Sequence, residues 1–265
     1  MAAAYAFSID LDRCIGCRAC VVACSSGNEL PAQATFITVS DVVRRQAGGL
    51  WGSFAHQRCF HCGAAACVEV CPTGALSKRQ GLTAVAAERC SGCGYCVDAC
   101  PFQVPQVREG QVSKCVGCLE QMQRGEAPWC ERTCPNGAIR FGERDALLAV
   151  ARARVQRLTA RYPQAQVYGD TQLGGLGLLL VLLERPAVYG LPENPKTPAM
   201  MNAWQAVVKP GAVGLSMLAG ITMGAAFVFA RRQRVREHER ETLSEGDAPS
   251  PPAEPSAGRG GSDHE

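Results

Sequence analysis

Three kinds of apolar pattern follow one another along this chain. In the first part, Thr35-Phe36-Ile37-Thr38-Val39, Leu82-Thr83-Ala84-Val85 and Ile139-Arg140-Phe141 alternate with period two and predict short strands. From Arg144 to Leu158 the apolar residues recur at helical spacing in a run rich in Ala, Leu and Arg, which predicts an amphipathic surface helix ended by Tyr162-Pro163. Two strongly apolar segments come later, and their lengths separate them. Leu173 to Leu183 would reach about 16 Å as a helix against a hydrocarbon core of roughly 30 Å, so it reads as a buried strand or short core segment. Pro210 to Ala230 holds 21 residues without a charge, bounded by Lys209 and by Arg231-Arg232. At about 32 Å it is long enough to cross a membrane, whereas a buried core helix rarely lacks every polar anchor over such a length.

Within that span Gly220-Ile-Thr-Met-Gly224 is a GxxxG pattern, which serves equally as a packing face or as the ordinary glycine content of a membrane helix. The stretch Thr242 to Glu265 is rich in Pro, Gly, Ser and Glu and is expected to be disordered.

Length and composition add little until cysteine is counted. The 265 residues are 47% hydrophobic with a net charge of +3, and the basic residues are spread along the chain except for a run after position 230, so nucleic acid is not an expected partner. Sixteen cysteines are abnormal. The opening Met-Ala-Ala-Ala-Tyr-Ala-Phe-Ser-Ile-Asp has no basic region followed by an apolar one, so a signal peptide is not expected. An even count suits disulfides as well as metal, and spacing has to decide.

All sixteen lie between Cys14 and Cys134, in four groups of four. Cys90-x2-Cys93-x2-Cys96-x3-Cys100-Pro101 is the bacterial ferredoxin spacing, and Cys14-x2-Cys17-x2-Cys20-x3-Cys24 matches it except for Ser25 in place of proline. Cys59-x2-Cys62-x4-Cys67-x3-Cys71-Pro72 widens one gap, and Cys115-x2-Cys118-x11-Cys130-x3-Cys134-Pro135 widens it further. Short turns let three sulfurs converge on one iron–sulfur cubane. In two-cluster ferredoxins the fourth cysteine ligates the neighbouring cluster. Zinc is the alternative, but zinc sites usually separate their CxxC hooks by a longer loop. A disulfide framework needs an oxidising compartment and tolerates irregular spacing. His61, between Cys59 and Cys62, is unnecessary as a ligand beside sixteen thiolates and is expected to be a hydrogen-bonding or surface histidine, as is His56. No Gly-rich phosphate loop, HExxH or GxSxG element occurs, and no nucleophile and base arrangement stands out, so the chain reads as non-catalytic.

The segments Cys14-Ile-Gly-Cys-Arg-Ala-Cys20, Cys71-Pro-Thr-Gly-Ala75, Lys114-Cys115 and Cys134-Pro-Asn-Gly-Ala-Ile139 resemble the four-cluster iron–sulfur subunits that accompany molybdopterin oxidoreductases and some hydrogenases. Tyr189-Gly-Leu-Pro-Glu-Asn-Pro195, followed by one membrane helix, is similar to the beta subunit of membrane-bound formate dehydrogenase. The resemblance implies an α+β fold of two ferredoxin-like halves with short strands and helices, each half holding two [4Fe-4S] clusters, then a surface helix and a single transmembrane helix. The expected divisions are 1–142 for the four-cluster domain, 143–206 for the helix and connecting segment, 207–232 for the membrane helix and 233–265 for a disordered cytoplasmic tail. It also implies ligand exchange within each half. Cys14, Cys17, Cys20 and Cys134 would hold one cluster, and Cys115, Cys118, Cys130 and Cys24 its neighbour. Cys59, Cys62, Cys67 and Cys100 would face Cys90, Cys93, Cys96 and Cys71.

The implied partners are a catalytic subunit carrying molybdopterin with molybdenum or tungsten, which oxidises formate, and a membrane cytochrome b that reduces quinone. Similar subunits serve nitrate, sulfoxide, polysulfide and thiosulfate reductases and hydrogenases, so formate rests on the C-terminal likeness. A zinc-stabilised interaction module is the remote alternative. Lys196 and Lys209 precede the span, while Arg231, Arg232, Arg234, Arg236 and Arg240 follow it. The positive-inside rule then predicts a single-pass protein of the cytoplasmic membrane, with its tail in the cytoplasm and its cluster domain in the periplasm. The resemblance implies export of the folded domain together with a catalytic partner that carries a twin-arginine signal.

Overall fold

The computed structural model describes residues 4–32, 34–46, 49–198 and 209–246. Contacts divide the chain into two units, Met1–Asn202 and Ala203–Glu265. The first is organised by a four-stranded sheet in which elements distant in sequence meet. Strand β1 (Tyr5–Asp10) lies between β8 (Ile139–Glu143), antiparallel to it, and β10 (Leu178–Leu182), parallel to it; β9 (Gln166–Tyr168) closes the far edge. A central strand is covered on both faces, and its sequence shows it. Phe7 and Ile9 are fully buried, as is every residue of β10. The segment Leu173 to Leu183 is thus a core strand preceded by a short turn of helix at Gln172–Gly174.

Helix α6 (Arg144–Leu158) has the bounds its periodicity predicts and packs Leu148, Ala151 and Leu158 toward the sheet. Polar contacts fasten it at both ends. Arg154 reaches the carboxylates of Asp10 and Asp12 just past β1, and Arg144 donates to the carbonyls of Leu176, Gly169 and Asp170.

Among the described residues, three antiparallel hairpins, five short α-helices and two further 3-10 turns, Ala87–Arg89 and Pro186–Tyr189, make up the rest of the first unit's elements. The hairpins are β2 (Thr38–Gln46) with β3 (Gly49–Gln57), β4 (Leu76–Arg79) with β5 (Leu82–Val85), and β6 (Gln106–Arg108) with β7 (Gln111–Ser113). Gln80-Gly81 and Glu109-Gly110 make the last two turns, all four residues having positive φ as the twist of a tight hairpin requires. The predicted strand at Thr35–Val39 begins only at Thr38. Thr35 Oγ1 accepts from the Ile37 amide and donates to the Ile37 carbonyl, taking both groups from any ladder while Ile37 itself is buried.

In the second unit one helix runs from Lys209 to Gly246. Its stretch Gly214–Arg236 is long and apolar enough to cross a membrane. The helix passes well beyond Ala230, so residues 233–246, expected to belong to a disordered tail, are helical. The intervening residues are good helix formers, chiefly Arg, Gln and Glu, with no proline. The rest of the predicted disordered tail lies outside the described residues. Gly220 and Gly224 have open space around them, and Thr222 Oγ1 donates to the Ala219 carbonyl, so the one hydroxyl between them is satisfied within the helix.

Candidate functional site

The cysteine groups sit on a recurring local structure. Each opens with a CxxC turn, and in all four the residue before the second cysteine has positive φ: Gly16, His61, Gly92 and Gly117. That turn folds two sulfurs toward one point. The third cysteine of each group then lies in a helix: Cys20 in α1 (Ala19–Gly27), Cys67 in α2 (Ala66–Glu69), Cys96 in α3 (Tyr95–Asp98) and Cys130 in α5 (Trp129–Arg132), the last after α4 (Leu119–Gln123). The fourth cysteine follows about one helical turn later. It is carried away from its own group toward another.

The sheet decides which groups meet. Ile9 pairs with Ile139, and the Asp10 amide donates to the Ala138 carbonyl at 2.9 Å, so the chain leaving β1 toward Cys14 runs beside the chain arriving from Cys134. Helices α1 and α5 pack on each other, as do α2 and α3. Electrostatic proximity then groups the sulfurs. Cys14 neighbours Cys17 and Cys134, and Cys20 neighbours Cys14 and Cys134; these four line one cavity. Cys24 neighbours Cys115, Cys118 and Cys130. Cys62 neighbours Cys59, Cys67 and Cys100. Cys96 neighbours Cys71, Cys90 and Cys93, which line a second cavity with it.

The sets form a row. Cys20 faces Cys130, Cys59 faces Cys115, and Cys67 faces Cys96, joining the first set to the second, the second to the third and the third to the fourth. Exposed sulfurs occur only in the terminal sets, although Cys20 and Cys96 there are buried and Cys62, Cys67 and Cys100 of the third set are half-buried. Cys17 and Cys93, one in each terminal set, are exposed, whereas Cys24, Cys59, Cys115, Cys118 and Cys130 in the middle are buried.

Burial and neighbouring sulfurs push thiols up, Cys20 to about 11 and Cys24 to about 12. Cys67 also rises to about 12 and Cys118 to about 11, both through burial first. Such thiols are poor nucleophiles, and binding to a metal centre would make them thiolates, their protons leaving to solvent. Cys71 behaves differently. Burial raises it, but backbone amides of Leu76, Thr73 and Ala75, with the Thr73 hydroxyl, outweigh that and lower it.

The donor set fits a polynuclear iron–sulfur group. All sixteen cysteines are unpaired. Among the described residues, no three His, Cys, Asp or Glu groups converge as ligands of a single metal ion would. Tetrahedral zinc, with Zn–S bonds of about 2.3 Å, would bring its sulfurs within roughly 3.8 Å of one another, whereas a cubane holds them farther apart.

Cations accompany the inner sulfurs, and two of them, Arg58 and Lys114, are buried. Arg58 donates to Cys130 Sγ and Cys115 Sγ, each at 3.3 Å. Lys114, also buried, donates to the carbonyls of Thr83 and Cys115 and lies near Cys59 and Cys67. Lys78 donates to the carbonyls of His61, Cys62 and Gly81. Neither histidine is on the surface. His56 Nε2 stands 3.2 Å from Cys14 Sγ, and burial, aided by Arg58, lowers its imidazole to about 4. His61 Nδ1 accepts from the Thr83 amide, and burial together with Lys114, Arg58 and Lys78 keeps this ring neutral. Arg58 and Lys78 escaped the sequence reading. Arg58 directly precedes a cysteine, as Lys114 does, which was the one signal available.

Two family models, each described as a 4Fe-4S dicluster domain, match residues 13–75 and 51–144 and together take in all sixteen cysteines. The chain is 35% identical over 226 residues to the iron–sulfur subunit of nitrate-inducible formate dehydrogenase from Escherichia coli (strain K12), covering 76% of this chain and 77% of that one. It is 34% identical over 235 residues to the formate dehydrogenase-O iron–sulfur subunit of the same organism, covering 78% of each. The B subunit of anaerobic dimethyl sulfoxide reductase from that strain is 37% identical over 158 residues, 56% of this chain and 77% of that one.

Proposed function

Because this chain belongs to the iron–sulfur subunits of formate dehydrogenase, we propose that it conducts electrons through four 4Fe-4S clusters from a catalytic subunit to a membrane partner. Catalysis resides in another subunit, and this chain transfers electrons. The ligand sets we assign are Cys14, Cys17, Cys20 and Cys134; Cys24, Cys115, Cys118 and Cys130; Cys59, Cys62, Cys67 and Cys100; and Cys71, Cys90, Cys93 and Cys96. The observation that carries this reading is the row of sets with an exposed cysteine at each end and none in the two sets between.

A 4Fe-4S cluster supplies a site that takes up and releases one electron at a time. The chain's residues supply the rest. The CxxC turns hold sulfurs in convergent positions, the fourth cysteine ties neighbouring sets together, and the buried middle of the row excludes water. Exposure of Cys17 and Cys93 leaves both ends open to partners, which we assign as a molybdopterin subunit carrying molybdenum or tungsten and a cytochrome b. Formate as the substrate follows from the named relatives. Sulfoxide is the second reading, favoured by the similarity to the B subunit of dimethyl sulfoxide reductase.

The test is anaerobic purification of the complex in mild detergent, oxidation, and addition of formate. Rapid bleaching of the visible iron–sulfur absorption is expected, from a chain holding about sixteen iron and sixteen acid-labile sulfide. If formate does nothing while dithionite bleaches the sample, the wire stands and formate is the wrong substrate. A colourless, zinc-containing protein would overturn both.

The helix Gly214–Arg236 associates the protein with the membrane. We place the tail in the cytoplasm and the cluster domain on the periplasmic side, from the five arginines that follow Ala230. A single cysteine introduced in the tail of whole cells is expected to stay unlabelled by an impermeant thiol reagent until the cells are opened. Labelling in intact cells reverses the orientation.

A further inference from the structure

Arg58 is one of the most deeply placed charges in the first unit, with 2% of its surface exposed. It follows β3 and directly precedes Cys59, so its backbone belongs with the third sulfur set. Its side chain turns into the second. The two terminal nitrogens donate to Cys130 Sγ and Cys115 Sγ, and the guanidinium carbon lies 4.2 Å over the ring of Phe7. Cys20, Cys24 and Cys118 also feel its charge. Among the described residues no carboxylate ion-pairs with it.

A guanidinium stays protonated at every pH a protein survives, so this is a permanent positive charge in a dry place. Such a charge is stable only against negative charge of comparable closeness. Among the described residues, sulfur is the sole acceptor its terminal nitrogens meet. When a cluster gains one electron its net charge becomes more negative by one unit, and a fixed cation at two of its ligand sulfurs favours that form over the oxidised one. The terminal sets are furnished differently. Cys14 meets the neutral His56, and Cys90 accepts the Val112 amide, at 3.3 Å.

We propose that Arg58 sets the potential of the cluster held by Cys24, Cys115, Cys118 and Cys130, raising it so that the second position in the row accepts an electron more readily than its cysteines alone would allow. This rests on the ligand sets proposed above. One electron is added, no proton accompanies it, and the bias is independent of pH because guanidinium does not titrate. Arg58 is a positioning residue for charge, without contact to any substrate.

The experiment is a redox titration of the purified complex followed by electron paramagnetic resonance, for Arg58→Gln and Arg58→Lys, with iron and sulfide counted in each. In Arg58→Gln one reduction step is expected to become at least tenfold less favourable, a shift of 59 mV for one electron. The other steps should move less, that of the first set by more than that of the fourth because Cys20 also feels the charge. Arg58→Lys, which keeps the charge, should shift that step less. Full clusters with all steps unmoved in Arg58→Gln would overturn the proposal, as would an equal shift in both variants. If the step that moves is not the one disturbed by Cys24→Ser, the ligand assignment fails and the tuning stands. If Arg58→Gln loses clusters, the unaltered protein decides, through labelling of arginine with nitrogen-15. A labelled-nitrogen coupling is expected in the signal of the cluster that Cys24→Ser disturbs, and its absence from every cluster signal refutes the proposal.

Discussion

Replacing Cys24 with serine is expected to damage the cluster of Cys115, Cys118 and Cys130 while leaving that of Cys14, Cys17 and Cys20 intact, although Cys24 belongs in sequence to the latter group. Cys24 is 4% exposed and sits one helical turn after Cys20 on α1, where it meets the sulfurs contributed by the fourth group. Asn28 fixes it there, donating through Nδ2 to the Cys24 carbonyl at 2.7 Å and to its sulfur at 3.6 Å. Serine keeps the shape but offers a hard oxygen where iron–sulfur chemistry uses a soft thiolate. The expected outcome is loss of about four iron of sixteen, or an altered signal from one cluster only. Paramagnetic resonance on the reduced complex reads this directly. Loss of the Cys14 cluster alone would mean that each group keeps its own four ligands and that the exchange does not occur.

Stripping iron from the domain is expected to unfold most of it. Arg58 and Lys114 are buried without a carboxylate partner among the described residues, so thiolate and cluster charge must compensate them. In the metal-free chain, burial holds Cys20, Cys24 and Cys118 protonated at neutral pH and removes that compensation. Leaving one buried charge uncompensated costs about 3–5 kcal/mol, against a total stability of roughly 5–15 kcal/mol for a domain. Two such charges cost about 6–10 kcal/mol, comparable to that whole margin, and the short helices α2 to α5 have too few turns to persist alone. Near-ultraviolet circular dichroism and limited proteolysis, before and after removal of iron, should show loss of fixed aromatic environments and rapid cleavage. An iron-free domain that keeps a cooperative thermal transition near that of the loaded protein would show that its core is self-sufficient.

Local chemistry was legible where its causes are local. Helix α6 follows from the spacing of its apolar residues, and β5 and β8 follow from alternation. The hairpin β6–β7 was overlooked, although Glu109-Gly110 stands between two short alternating runs. The Thr35–Val39 prediction overshot because a threonine side chain can satisfy the backbone that a strand would otherwise pair. The C-terminal helix outran its apolar stretch because Arg, Gln and Glu propagate a helix as readily as they end a membrane span. His61 was expected to hydrogen-bond or lie on the surface. It does the former from the core, in a left-handed position where the other three groups use glycine.

By itself the sequence determined how many sulfurs there are, how they cluster in fours and how far the apolar span reaches, since CxxC turns, helical spacing and segment length depend on residues a few positions apart. The family likeness already suggested which fourth cysteine crosses over. Only the tertiary structure decided where those residues stand. β1 enters between β8 and β10 and brings Cys14 beside Cys134, and α1 against α5 brings Cys24 beside Cys130. The same folding draws Arg58 from the end of one hairpin into another group's sulfurs. These are contacts across 57 to 120 positions of chain. They are set by how buried faces pack together, which no local spacing records.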